Sequence, residues 1–440
     1  MSAPRRKFGF WLATALVIGN IMGAGIFMMP AGLVPYGWNA LSAWVLTLVG
    51  VLCLAWVFAE LARHLPNAGG TFGFMTLAAG EPIAFLGAWG YLVSCWAANA
   101  AITVTGVSYF TRLVPSVGSS SYGAPVVALT VIWLLTWVNL RGIQAAGAVQ
   151  LITTIVKLIP FVAVVLLAVW RVFDGGWSVF PPIHADSFSL AGTTSAAGLT
   201  LFAMLGLESA TIPADAVENS ARNVPRATMV GTGVTAVLSL VATCAVVLML
   251  PPAQVLASKA PIADFIAVSW GEVAGGLVAV CAVASSFGAL NGWLLLGGEL
   301  PAAMADAGTL PQWFGRRNAA GAAAGSILVG SIFTTALAMM GYTRSASAAF
   351  SFAALLAAAT GLGVYVICSF GVFKLMRTGQ LPRRRGLVTC AVGASIFSLW
   401  TLYGSGWEAL GWGTVLTAAG WPLFLAARSA RRTTAHVPAA

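Results

Sequence analysis

Apolar runs broken by short polar connections recur from one end of the chain to the other. Hydropathy and turn residues predict membrane spans at 8–35, 38–62, 82–111, 123–140, 145–170, 189–216, 226–250, 273–300, 322–342, 347–373, 387–405 and 407–427. Each is close to the roughly 20 apolar residues with which an α-helix crosses a bilayer. Only Gly404, Ser405 and Gly406 divide the last two spans. Two spans carry an interruption inside the apolar run. In the first, GNIMGAGIF (19–27) sets Gly19, Gly23 and Gly25 halfway along, with Pro30 and Pro35 beyond. Each glycine weakens a helix by about 1 kcal/mol against alanine. In the sixth, AGLTLFAMLGLESATIPADAVEN places Gly206, then Glu208, then Pro213 in the same order.

Composition supports this pattern. The chain has 440 residues, 59% hydrophobic and 8% charged, with mean hydropathy +0.90. Soluble domains carry about 25% charged residues, so a polytopic membrane protein is indicated. The longest polar stretch, 174–187, reads as an outer connection, and no soluble domain is expected. The opening MSAPRRKFGFWL reads as a retained first span: no short core with an A-x-A-like site follows it.

With the N-terminus inside, the predicted cytoplasmic segments hold 17 basic residues and the outer ones four, Arg112, Arg171, Lys259 and Arg344. That is the positive-inside bias. Both termini are then cytoplasmic. The net charge of +10 is topological and calls for no nucleic-acid partner. The six cysteines lie in apolar runs with no CxxC pair or Cys/His cluster, so no metal site, disulfide framework or cofactor is suggested. His64, His184 and His436 lie in polar connections and receive no role.

What remains are polar groups at mid-depth. Interrupted helices at corresponding places in two halves point to a transporter, because unwound backbone is tolerated in a bilayer only where it lines a cavity. The broken ends free N–H and C=O groups able to hold a substrate's carboxylate and amine. Glu208 is the carboxylate near the middle of a span: it acts in proton-sensitive coupling or as a cation's partner, or it clamps the broken helix. Lys157, inside the fifth span, either neutralises Glu208 or puts its ammonium where related folds hold sodium. In that second case it meets carbonyls of the first span and the hydroxyls of Ser285 or Ser286, and it is able to hand over a proton during the cycle. Tyr91, Cys95, Asn99 and Ile102 share one face of span three. Asn99 there bonds a substrate or a neighbouring helix. Ser285, Ala289 and Trp293 share a face of span eight, and Phe202 precedes the break in span six.

GNIMGAGIF, LPNAGGTFGFM after span two, LGLESA in span six and ENSARNVPRAT after it together resemble the amino acid–polyamine–organocation transporters. The resemblance covers nearly the whole chain and is nearest the basic amino acid/polyamine antiporters, of the arginine/agmatine type. It implies an all-α LeuT fold of 12 transmembrane helices with discontinuous helices 1 and 6. Residues 1–171 would form the first inverted repeat, 172–377 the second, and 378–440 a peripheral pair with the cytoplasmic tail. By the same resemblance Asn20, Ile21, Met22, Gly23, Ala24 and Gly25 cradle substrate with Asn99, Phe202, Ala203 and Leu205. Tyr91, Phe202 and Trp293 gate the site and Glu208 senses protons; Lys157, with Ser285 and Ser286, joins Glu208 in coupling on the strength of its place in the spans. Two departures weigh against arginine: Phe202 stands where the arginine/agmatine antiporter has a tryptophan, and Lys157 where it has an apolar residue.

The resulting expectation is a secondary transporter in a bacterial inner membrane, exchanging an amino acid or its decarboxylated amine independently of sodium. The alternative is a proton-coupled symporter of the same fold. Its partners are the small-molecule substrate and the lipid bilayer, and a homodimer is compatible with it. The sequence has neither the continuous polar stripe of a channel nor the His/Asp/Glu constellation of a membrane enzyme.

Overall fold

Ten helical segments are long and apolar enough to cross a membrane in the described part of the computed structural model, which covers residues 9–68, 70–141, 143–184, 186–208 and 218–434. They are Trp38–His64, Glu81–Leu113, Gly123–Leu140, Val156–Val179, Arg222–Met249, Glu272–Asp306, Ala324–Gly341, Ala346–Arg377, Arg385–Gly404 and Gly406–Arg431. These are spans two to five and seven to twelve. The first and sixth spans are absent from that set because the helices described there, Phe10–Ile21 and Leu190–Phe202, are too short to qualify. The described residues contain helices and turns and no strands.

Local chemistry sets several ends. Glu272–Asp306 stops at Gly308, whose φ of +69° suits glycine, with Gly308 N–H bonding Ala305 O and Thr309 N–H bonding Met304 O. Ala346–Arg377 ends with the same paired bonds around Gly379. The last predicted span bends: Gly406–Ala418 and Trp421–Thr434 are separate helices about Ala419 and Gly420. Four short helices, Gly70–Ala79, Pro115–Gly118, Pro252–Ala257 and Pro261–Trp270, were not anticipated. They are shorter than a hydropathy window resolves.

Span three lies at the centre of the bundle and is almost wholly buried from Ala84 to Thr111. It approaches span eight closely at Gly106, where a Cβ would stand 2.8 Å from that of Ser286. Polar contacts join neighbours in the dry interior: Thr47 with Thr200 at 2.7 Å, Thr136 with Ser331 at 2.7 Å, and Asn139 Nδ2 with Asn291 Oδ1 at 2.9 Å. Ion pairs, among them Arg112–Asp264, Arg317–Glu299 and Arg431–Glu81, lie towards helix ends.

Candidate functional site

Span one runs as a helix from Phe10 to Ile21 and then loses its pattern. Gly23 is extended (φ −64°, ψ 160°), Ala24–Phe27 forms a 3₁₀ turn, and Met29–Leu33 resumes the helix with Pro30 in its first turn. The α-helix therefore ends at Ile21, before Gly23. Gly25 is a packing requirement: a Cβ there would lie 2.4 Å from the Phe202 ring of span six. Span six is helical over Leu190–Phe202, capped by Ser189 Oγ accepting from Gly192 N–H at 3.0 Å. It breaks over 203–206, where Gly206 has φ +99°, a conformation that side chains disfavour. Pro213 and the remainder of that span, 209–216, lie outside the described residues.

The two breaks face one another across a cavity of about 20 Å³. Span one contributes Ile21, Gly23, Gly25 and Ile26; span six contributes Phe202, Ala203 and Leu205; span three Ala98 and Ile102; span eight Trp293. Seven of the predicted site residues thus meet there: Ile21, Gly23, Gly25, Phe202, Ala203, Leu205 and Trp293. Met22 is buried but does not line the cavity. The side chains of Asn20 and Ala24 lie outside the described residues.

Span three reaches the cavity through Ile102, as expected, and through Ala98 in place of Asn99. Tyr91, Cys95, Ala98 and Ile102 repeat at four, three and four, a closer match to 3.6 than a stripe through Asn99. Asn99 stands beside the lining, 1% exposed, and neither of its amide atoms has a hydrogen-bond partner. Buried polar atoms are seldom left so.

Glu208 is buried just beyond the second break. Tyr91 Oη donates to one carboxylate oxygen and Tyr365 Oη to the other, at 2.6 Å. The carboxylate therefore ties span six to spans three and ten. Tyr91, expected as a gate, does not line the cavity. Tyr365 was missed; a lone tyrosine in the apolar run GLGVYVIC was its only signal. Its ring meets Phe58 of span two edge-on at 5.8 Å.

Lys157 is 2% exposed, and its Nζ donates to Gly19 O at 2.5 Å. In an unbroken helix that carbonyl would accept from Gly23 N–H. Gly23 N–H instead bonds Ile21 O at 2.6 Å, so the break frees the carbonyl that the ammonium takes. The cation also caps the negative end of Phe10–Ile21. No Lys157–Glu208 ion pair occurs among the described residues, and each group has its own partners. Ser286 Oγ donates to Ala282 O of its own helix at 2.7 Å, and Ser285 Oγ is buried without a partner.

The C-terminal half of span one is closed over. Residues Ile26 to Leu33 are buried. Tyr109 Oη donates to Phe27 O at 2.9 Å and accepts from Ile262 N–H at 3.1 Å, joining span one, span three and the helix Pro261–Trp270. Ser347 Oγ of span ten donates to Ala31 O at 3.1 Å.

Two discontinuous helices enclosing one mid-depth cavity define a membrane transporter of the secondary, alternating-access class. The chain belongs to the amino acid permease family, whose profile matches residues 8–426. It is 30% identical over 426 residues to the putrescine transporter PotE of Escherichia coli (strain K12), covering 96% of each chain. To the putrescine transporter PotE of Haemophilus influenzae it is 29% identical over 428 residues, 96% of this chain and 98% of the relative. To the cadaverine/lysine antiporter of Escherichia coli (strain K12) it is 30% identical over 344 residues, 76% and 75% of the two chains. The all-helical fold with broken first and sixth spans fits this family.

Proposed function

We propose that the protein exchanges amino acids, or the amines left by their decarboxylation, across a bacterial inner membrane, with both termini in the cytoplasm. The observation carrying this reading is the meeting of the two breaks at one cavity. The freed backbone groups of span one and span six give it donors and acceptors for an amino acid's head group. The relative named as a cadaverine/lysine antiporter supports exchange, and the one named as a putrescine transporter supports an amine as cargo. Enzymatic chemistry has no support in the site: its lining is hydrocarbon, aromatic ring and backbone.

The cavity is little larger than the 10–15 Å³ that one water needs, so substrate enters only when the bundle opens. With the outer half of span one packed over, opening from this closed form proceeds on the cytoplasmic side. Two inverted repeats, 1–171 and 172–377, would rock about the site while 378–440 stays peripheral. Glu208 reports protonation to the tyrosines of spans three and ten. Lys157 stays charged as a strut where a sodium ion would otherwise bind. Asn99 turns its unpaired amide to the substrate's head group once the site opens.

Counterflow in proteoliposomes tests exchange. Internal unlabelled substrate should drive entry of labelled substrate with no sodium present. Uptake that an imposed pH gradient drives to accumulation, without internal substrate, would replace exchange by proton symport.

A further inference from the structure

We infer that the side chain of the transported amino acid or amine is apolar and uncharged, so that this site, if the exchange reading on which the inference rests is right, discriminates against diamines and cationic amino acids. The side chains that enclose the cavity are Ile21, Ile26, Ile102 and Leu205, closed by the rings of Phe202 and Trp293. None bears an acceptor, and no carboxylate lines the cavity among the described residues.

A diamine or a lysine brings a second ammonium to the far end of the substrate. Once stripped of water it needs an anion or several oxygens there. Both oxygens of Glu208 already accept tyrosine hydroxyls. The freed carbonyl of Gly19 is held by Lys157, a like charge that opposes a second cation at that break. Asn99 offers an unpaired donor and acceptor together, which suits a zwitterionic head or a single amine and neutralises nothing. The ring of Phe202 is a weaker partner for a cation than tryptophan, and Trp293 alone leaves most of the lost hydration unreplaced. A branched or aromatic hydrocarbon matches the lining without any such deficit.

Thermal stabilisation of the purified full-length protein reads binding without presuming transport. Leucine, isoleucine, phenylalanine and isoamylamine are compared with putrescine, cadaverine, lysine and arginine. We expect the apolar compounds to raise the melting temperature at concentrations at least a hundredfold lower than the cationic set. Stabilisation by putrescine or lysine at equal or lower concentration overturns the inference, as does a panel in which no apolar compound stabilises. Counterflow separates the two readings. Exchange of putrescine but not leucine refutes the apolar side chain and leaves exchange standing; leucine that binds without exchanging keeps the side-chain class and refutes exchange. Ala98→Asp puts an anion on the lining and should improve putrescine's potency tenfold or more while weakening leucine's. Ile26→Asp repeats that measurement from span one should the first variant not fold.

Discussion

Lys157 and Glu208 each bind groups at or next to a helix break. An ammonium at the middle of a membrane helix costs about 2.5–3.5 kcal/mol by insertion scales. A buried carbonyl left unpaired costs about 1–3 kcal/mol. Joining Lys157 to Gly19 O offsets both, so Lys157→Ala should destabilise the protein by about 1–3 kcal/mol, read as a lower melting temperature in detergent. An unchanged midpoint would show that the strut carries no load. Glu208→Gln keeps the shape that Tyr91 and Tyr365 enclose and removes the titrating group. The variant should insert normally and lose the pH dependence of exchange; wild-type pH dependence in it would leave Glu208 as a clamp only. Gly25→Leu drives a side chain into the Phe202 ring and the cavity, and should abolish substrate binding while the protein still folds. Retained affinity would move the site elsewhere.

Among the helices, the outer cover on span one depends on Tyr109. Its hydroxyl joins Phe27 O to Ile262 N–H, and both residues are buried. Tyr109→Phe leaves a donor and an acceptor unpaired, on the order of 1–3 kcal/mol for each, and should shift the population towards forms open to the outside. With the native cysteines replaced, Ala31→Cys should resist a membrane-impermeant maleimide and react faster once Tyr109→Phe is added. Equal rates would mean that apolar packing around Met28 to Leu33 closes the outer side unaided.

For the protein as a whole, the ammonium at the freed carbonyl predicts exchange at the same rate in sodium-free and sodium-containing buffer. A requirement for sodium would show that Lys157 does not stand in for the ion.

The sequence by itself determined the span count and the interrupted spans. Apolar runs of membrane length register every crossing because the bilayer penalises polar side chains wherever they fall. Glycines followed by proline mark the breaks because they weaken helices in any surroundings. Gly23 and Gly25 were readable on those grounds, and the other five of the seven lining residues came with the family resemblance. The partners were not readable. Whether Lys157 meets Glu208 or Gly19 depends on how spans one, five and six pack, over a separation of 138 residues for the bond that forms. Tyr365, which completes the Glu208 site from span ten, is 157 residues away from it. The cavity face of span three passes through Ala98 and Ile102, and which point along that face meets the breaks is set by how the neighbouring spans pack. Local sequence sets where a helix stops; only the assembled bundle decides which group receives the carbonyl that the stop leaves free.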